Sequence, residues 1–218
     1  MERTIFIDVD TQHDFCDPSG ALFVRGAEAL AFEALTRHAV AHGIPIVGSV
    51  DSHAFDAWEF AGAVDAGPNG ERPGFPPHCV KGTHGWLKVP GTLAPRVRFV
   101  PNVALGRAAV EEIVTRNAPQ QWMLEKEVYS LFANPNAAAL LQAIVGDTEP
   151  RFVVYGVATD YCVRAAAIGL REWLGDRKGS IDLVTDAIAA VTQEGGTCAL
   201  AECEARGVRP VGCAEVLR

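Results

Sequence analysis

Arg151-Phe152-Val153-Val154-Tyr155-Gly156-Val157 runs without a break into Ala158-Thr159-Asp160-Tyr161-Cys162-Val163. The six residues after Arg151 are β-branched, aromatic or small, and none is charged. A strand exposed on one face would alternate apolar with polar residues. This one does not, so it reads as a strand covered on both faces. Residues 161–174 then read as a helix. A buried strand feeding a helix is half of a β-α-β unit, the building block of parallel sheets.

The same alternation extends in both directions. Downstream, residues 181–185 read as a strand, 194–206 as a helix and 208–211 as a last strand. Upstream, residues 4–9 form an apolar strand. Residues 27–42 read as a helix that Gly43 stops. Residues 44–50 are the second strand and 97–100 a weak third. A helix at 105–117 precedes a strand at 122–124 that reaches back as far as Gln120. Asn134-Pro135 reads as a cap followed by proline at the first helical position, with the helix running to about Val145. This predicts one α/β domain over residues 1–218, a parallel sheet with helices on both faces. Residues 51–95 are rich in Gly and Pro and show no long period. A structureless segment of that length has a reason, and we read it as a functional loop.

Bulk properties exclude several classes. The 218 residues carry a net charge of −8, which provides no basic face for nucleic acid or an anionic membrane. No apolar run is long enough to span a bilayer. The N-terminus reaches Asp8 too soon for a signal peptide, so a cytoplasmic location is expected. There the six cysteines would stay reduced.

An open parallel sheet binds ligands beyond the carboxyl ends of its strands. The polar residues at those ends are Asp10, Asp51, His53, Lys126, Thr159, Asp160, Cys162 and Asp186. Cys162 falls where a strand passes into a helix, where the helix dipole would favour a thiolate. Asp10 is a candidate acceptor for its proton, and Lys126 a partner for Asp10. Backbone N–H groups near Ala158 and Cys162 are candidate oxyanion donors. By position alone, Cys162 reads equally as a small packing residue. Asp51-x-His53, with Glu59 and His78 further along the loop, supplies carboxylate and imidazole groups suited to Zn, Mn or Fe(II). Phe15 and Phe75 are candidate aromatic walls for a flat ligand. His13 and His84 read as surface or supporting residues, and His38 and His42 as solvated.

Taken together, these segments resemble the isochorismatase-like cysteine hydrolases, and in particular their nicotinamidase branch. Asp10-Thr11-Gln12-His13-Asp14-Phe15 is similar to the family's Asp-x-Gln-x-Asp-Phe signature. Residues 156–163 resemble its nucleophile turn, and Lys126 with Tyr129-Ser130-x-Phe132 its lysine motif. Asp51-x-His53 and residues 75–83 (FPPHCVKGT) resemble its metal and ring-binding loops. The resemblance covers residues 4 to about 190. It implies a six-stranded parallel sheet ordered 3-2-1-4-5-6 and an Asp10, Lys126, Cys162 triad. It also implies a cis peptide before Ala158 and one divalent metal ion on Asp51, His53 and His78. Phe15, Phe75 and Tyr129 fall in the substrate-contacting motifs. Two positions depart from the pattern. Glu59 stands where the third metal ligand is usually His, and the lysine loop is short.

The implied reaction is nicotinamide plus water to nicotinate plus ammonia through a cysteine thioester. Its rivals are the same chemistry on another small amide or carbamoyl compound, a vinyl-ether hydrolase, and a metal-stabilised binding protein without turnover. The expected partner is a small amide, with a homo-oligomer possible.

Overall fold

The computed structural model describes residues 2–64, 66–67 and 72–218. In chain order the elements are β1 (Glu2–Val9), α1 (His13–Cys16), a 3-10 turn (Ala27–Ala29), α2 (Phe32–Ala41), β2 (Ile46–Asp51), β3 (Val97–Val100), α3 (Arg107–Thr115) and β4 (Gln121–Lys126). A second 3-10 turn (Leu131–Ala133) follows, then α4 (Ala137–Val145), β5 (Glu149–Val157), a π-type turn (Thr159–Val163) and α5 (Arg164–Leu174). The chain ends with β6 (Ser180–Ala189), α6 (Gln193–Ala205), β7 (Arg209–Val211) and α7 (Cys213–Val216).

The strands form one sheet in the order β3-β4-β2-β1-β5-β6-β7, and every neighbouring pair is parallel. The expected sheet had six strands; this one has seven. The strand beyond the six that the resemblance implied is β3, read from the sequence as a weak third strand; it is four residues long and half-buried, at the edge beside β4. Without it, the other six strands, counted anew along the chain, run 3-2-1-4-5-6.

Strand alternation sorts the core into two layers. Ile5, Ile7 and Val9 of β1 and Phe152 and Val154 of β5 pack with Val110 of α3, Leu140 of α4, Ala166 of α5 and Cys203 of α6. Phe6 of β1 and Val153, Tyr155 and Val157 of β5 face the other way, onto Phe32 and Leu35 of α2 and Val216 of α7. Helices on both faces make the three-layer αβα arrangement, and explain why the central strands are apolar throughout.

Several boundaries move, three of them near elements that shape the site. The helix expected over 27–42 breaks at Leu30-Ala31, so α2 begins at Phe32. Asn134 does not cap α4, which starts two residues beyond Pro135. Instead its side-chain amide donates to the carbonyls of Val100, Pro101 and Glu125, tying three segments together. The helix expected from Tyr161 splits into the π-type turn and α5.

Candidate active site and metal centre

The sheet register builds the site. Asp51 and Lys126, the last residues of β2 and β4, are paired neighbours. Val9 pairs with Gly156, so Asp10 and the turn carrying Cys162 leave adjacent strands at the same end. With about 4.8 Å between strands, the order β4-β2-β1-β5 lays Lys126, Asp51, Asp10 and Cys162 along one carboxyl edge.

Lys126 is fully buried. Its Nζ lies 2.8 Å from Asp10 Oδ2, 3.0 Å from Asp51 Oδ1 and 3.7 Å from Cys162 Sγ. Burial opposes its charge, but Asp10, Asp51 and Cys162 hold it well above the usual lysine range. The two carboxylates are pushed apart. Burial raises Asp10 despite Lys126. Burial also opposes ionisation of Asp51, yet Lys126, His53 and His78 outweigh it and hold Asp51 well below the usual range. Cys162 departs from expectation. Its thiol is buried in the π-type turn, where Val163 N–H bonds to Ala158 O at 3.1 Å, rather than in the first turn of an α-helix. Burial, with Asp10 adding to it, pushes the thiol well above its ordinary value despite Lys126. Burial therefore disfavours the charged form of both Asp10 and Cys162. The Val157–Ala158 peptide is cis, as the resemblance implied.

Asp51, His53, Glu59 and His78 converge into one buried cluster, with their ligand atoms all within 4.8 Å of one another. His53 Nε2 is 3.3 Å from Asp51 Oδ2 and 2.9 Å from Glu59 Oε1; His78 Nε2 is 3.5 and 3.2 Å from the same oxygens. Glu59 therefore belongs to the set. His53 Nε2 and Glu59 Oε1 are buried and find no well-formed hydrogen bond. Two carboxylate oxygens and two imidazole nitrogens aimed at a common centre fit a divalent transition ion, whose charge would satisfy them. Burial favours neutral imidazoles, but Asp51 and Glu59 overcome it and raise His53 and His78 to about 9.

The loop is less irregular than its composition suggests. Short parallel bridges join His53 to Val80 and Phe60 to Phe75, and Glu59 O accepts from the N–H groups of Gly74 and Phe75 at 2.9 and 3.1 Å. Gln12 fixes the other side. Its amide exchanges hydrogen bonds with the Asp51 backbone at 2.7 and 2.8 Å and donates to Trp86 O at 2.9 Å. Asp14 accepts from Cys79 N–H at 2.6 Å, beside His78.

A cavity of about 290 Å³ opens above Cys162, lined by Phe15, Phe75, Tyr129, Ala158 and Tyr161, with Asp51, Glu59 and His78 at one end. Phe15 and Phe75 stand 5.7 and 5.9 Å from the His78 ring. Tyr129 is partly exposed at the mouth, 5.3 Å from Tyr161. The sequence reading assigned no role to Tyr161, or to Phe60, which packs 5.4 Å from His53. Each adjoins a residue that was singled out. Two strand-end residues do other work. Asp160 accepts from the Val191 and Thr192 N–H groups, and Asp186 from Cys213 N–H.

A buried cysteine, carboxylate and lysine at the carboxyl edge of such a sheet place this chain in a defined class. The sequence profile of the isochorismatase domain matches residues 4–215, and the chain belongs to that family. It is 30% identical over 211 residues to the nicotinamidase/pyrazinamidase of Mycobacterium tuberculosis, covering 94% of this chain and 96% of that protein. Its fold is similar to the zinc complex of Pyrococcus horikoshii pyrazinamidase, at TM-score 0.70 and 26% identity over 96% of this chain and 99% of that one. The pyrazinamidase/nicotinamidase of Streptococcus mutans gives 0.67 and 25%, covering 95% and 99%.

Proposed function

We propose that this chain is a metal-dependent cysteine amidohydrolase whose substrate is nicotinamide, releasing nicotinate and ammonia, and that residues 1–218 act as one domain. The observation that carries this reading is the buried ammonium of Lys126, which contacts Asp10, Asp51 and Cys162 together. The nicotinamidase and pyrazinamidase names of its relatives support the amide substrate.

Asp10 accepts the Cys162 proton as sulfur attacks the carboxamide carbon. Backbone N–H groups of Ala158 and Cys162 receive the developing oxyanion. Asp10 returns the proton to the amide nitrogen, ammonia leaves, and a thioester to Cys162 remains. Water, deprotonated by Asp10, then adds to the thioester carbon. The thiol takes back its proton as the acid departs, so one water is consumed per amide. Lys126 restrains the rise in Asp10's proton affinity and so keeps it able to cycle. Phe15 and Phe75 flank the ring, and Tyr129 closes over it. Asp51, His53, Glu59 and His78 would hold one divalent ion, Zn, Mn or Fe. When bound, that ion supplies a Lewis-acid anchor for the pyridine nitrogen. The zinc in the Pyrococcus relative favours zinc.

The experiment is ammonia release from nicotinamide by protein of known metal content, with pyrazinamide and carbamoyl compounds alongside. Equal yields of nicotinate and ammonia support the reading. Turnover of another amide with none of nicotinamide would move the substrate and keep the chemistry. Turnover of no amide at all would favour a binding protein.

A further inference from the structure

We propose a second transition-metal site on His13, Asp17 and His84, separate from the buried cluster. Their ligand atoms lie within 4.8 Å of one another. His13 Nδ1 is buried, lacks a hydrogen-bond partner, and faces Asp17 Oδ2 at 3.7 Å. That is too long for a hydrogen bond. It is close to the separation of two ligands that each sit roughly 2.1 Å from a shared ion. The other Asp17 oxygen is already engaged by Ser19, through its N–H at 2.9 Å and its hydroxyl at 2.8 Å, which leaves Oδ2 turned to His13. The His84 ring lies 4.2 Å from the His13 ring, centroid to centroid. His84 is exposed and Asp17 partly so, giving an ion a route in from solvent.

The backbone holds this set together before any ion binds. His13 N–H donates to Leu87 O at 2.9 Å and Asp14 N–H to Gly85 O at 3.1 Å. Two imidazoles and one carboxylate select Zn²⁺, Co²⁺, Ni²⁺ or Cu²⁺ over Mg²⁺ or Ca²⁺. Three protein ligands leave a further position for water. The ion would tie the 13–17 turn, which carries Phe15, to the 84–88 segment, which carries Trp86 and Lys88. It would act as a staple beside the cavity and take no part in the reaction.

The test is Zn²⁺ stoichiometry by equilibrium dialysis on the full chain, with thermal unfolding measured in parallel. Wild type is expected to take up two equivalents, the second raising the unfolding temperature. His84→Ala is expected to weaken the second equivalent at least ~10-fold, abolish that rise and keep the first. His53→Ala is expected to lose the other equivalent and keep this one, which separates failure here from failure of the proposed active site. A single wild-type equivalent that His53→Ala abolishes, or uptake at every equivalent unaffected by His84→Ala, would overturn the proposal.

Discussion

In the proposed reaction Cys162 passes its proton to Asp10, and neither group is at its ordinary acidity. Burial raises both, and Lys126 pulls both down. The reactive arrangement needs Asp10 ionised and Cys162 protonated, so activity should rise with pH as Asp10 loses its proton. Removing the lysine's charge raises Asp10 further, so Lys126→Met should move the acid limb of kcat/KM to higher pH. A limb that stayed in place would exclude Asp10 as the base. Cys162→Ala should lower kcat by ~10³-fold or more with metal content unchanged, measured as ammonia release. At this scale the sequence was informative where chemistry restricts the residue type, as at Asp10, Lys126 and Cys162. It was less so for Phe60 and Tyr161, because an aromatic beside a ligand looks the same as one in any core. The thiolate expected for Cys162 failed because the dipole argument left out burial, which raises the thiol more than Lys126 lowers it. The chain makes a buried π-type turn there.

Elements act through their ends. Gly156 has φ +126°, and a Cβ there would collide with the Val9 carbonyl oxygen of β1. Gly156→Ala should cost about 3 kcal/mol of stability, measured by urea unfolding, and should displace the turn that carries Cys162. Gln12 grips the end of β2 from the turn after β1, so Gln12→Ala should weaken metal binding about 10-fold, read by competition with a chelator. Far from the site, Asp182 on β6 is buried between Arg151 of β5 and Arg209 of β7, at 2.7 and 2.9 Å. Burial works against its ionisation, but the two guanidinium groups prevail and lower it. A carboxyl lowered by folding stabilises above its unfolded value and loses that contribution as pH falls through the folded one. Asp182→Asn should therefore cost about 1–2 kcal/mol at neutral pH, allowing for the exposure of Arg209. The cost should shrink below the unfolded value of about 3.9, as a pH series of unfolding curves would show. The central strands were legible because burial on both faces leaves continuous apolar runs. β4 was read short because Glu125 and Lys126 look like loop residues, and only the sheet shows that they finish the strand.

Across the whole molecule, the metal cluster concentrates two carboxylates and two imidazoles in one buried place. Chelation should lower the unfolding temperature by roughly 5–10 °C, given a stabilisation of about 3 kcal/mol when metal is in ample excess. An unfolding temperature unmoved by chelator and by added Zn²⁺ would argue against an ion there. The long loop was read as functional, yet its internal bridges could not be read from a Gly- and Pro-rich stretch, since they join residues distant in sequence. The pairing of β1 with β5 has a consequence in time. Those central strands match Glu2 to Glu149 and Val9 to Gly156, so Asp10, the proposed base, belongs to a segment made well before the one that carries Cys162, the proposed nucleophile. Contacts of such sequence separation form slowly, because the chain must close a large loop before they are rewarded. On refolding from denaturant, recovery of helical circular dichroism should precede recovery of turnover. Enzymatic activity then marks the moment when the two halves of the chain have found each other.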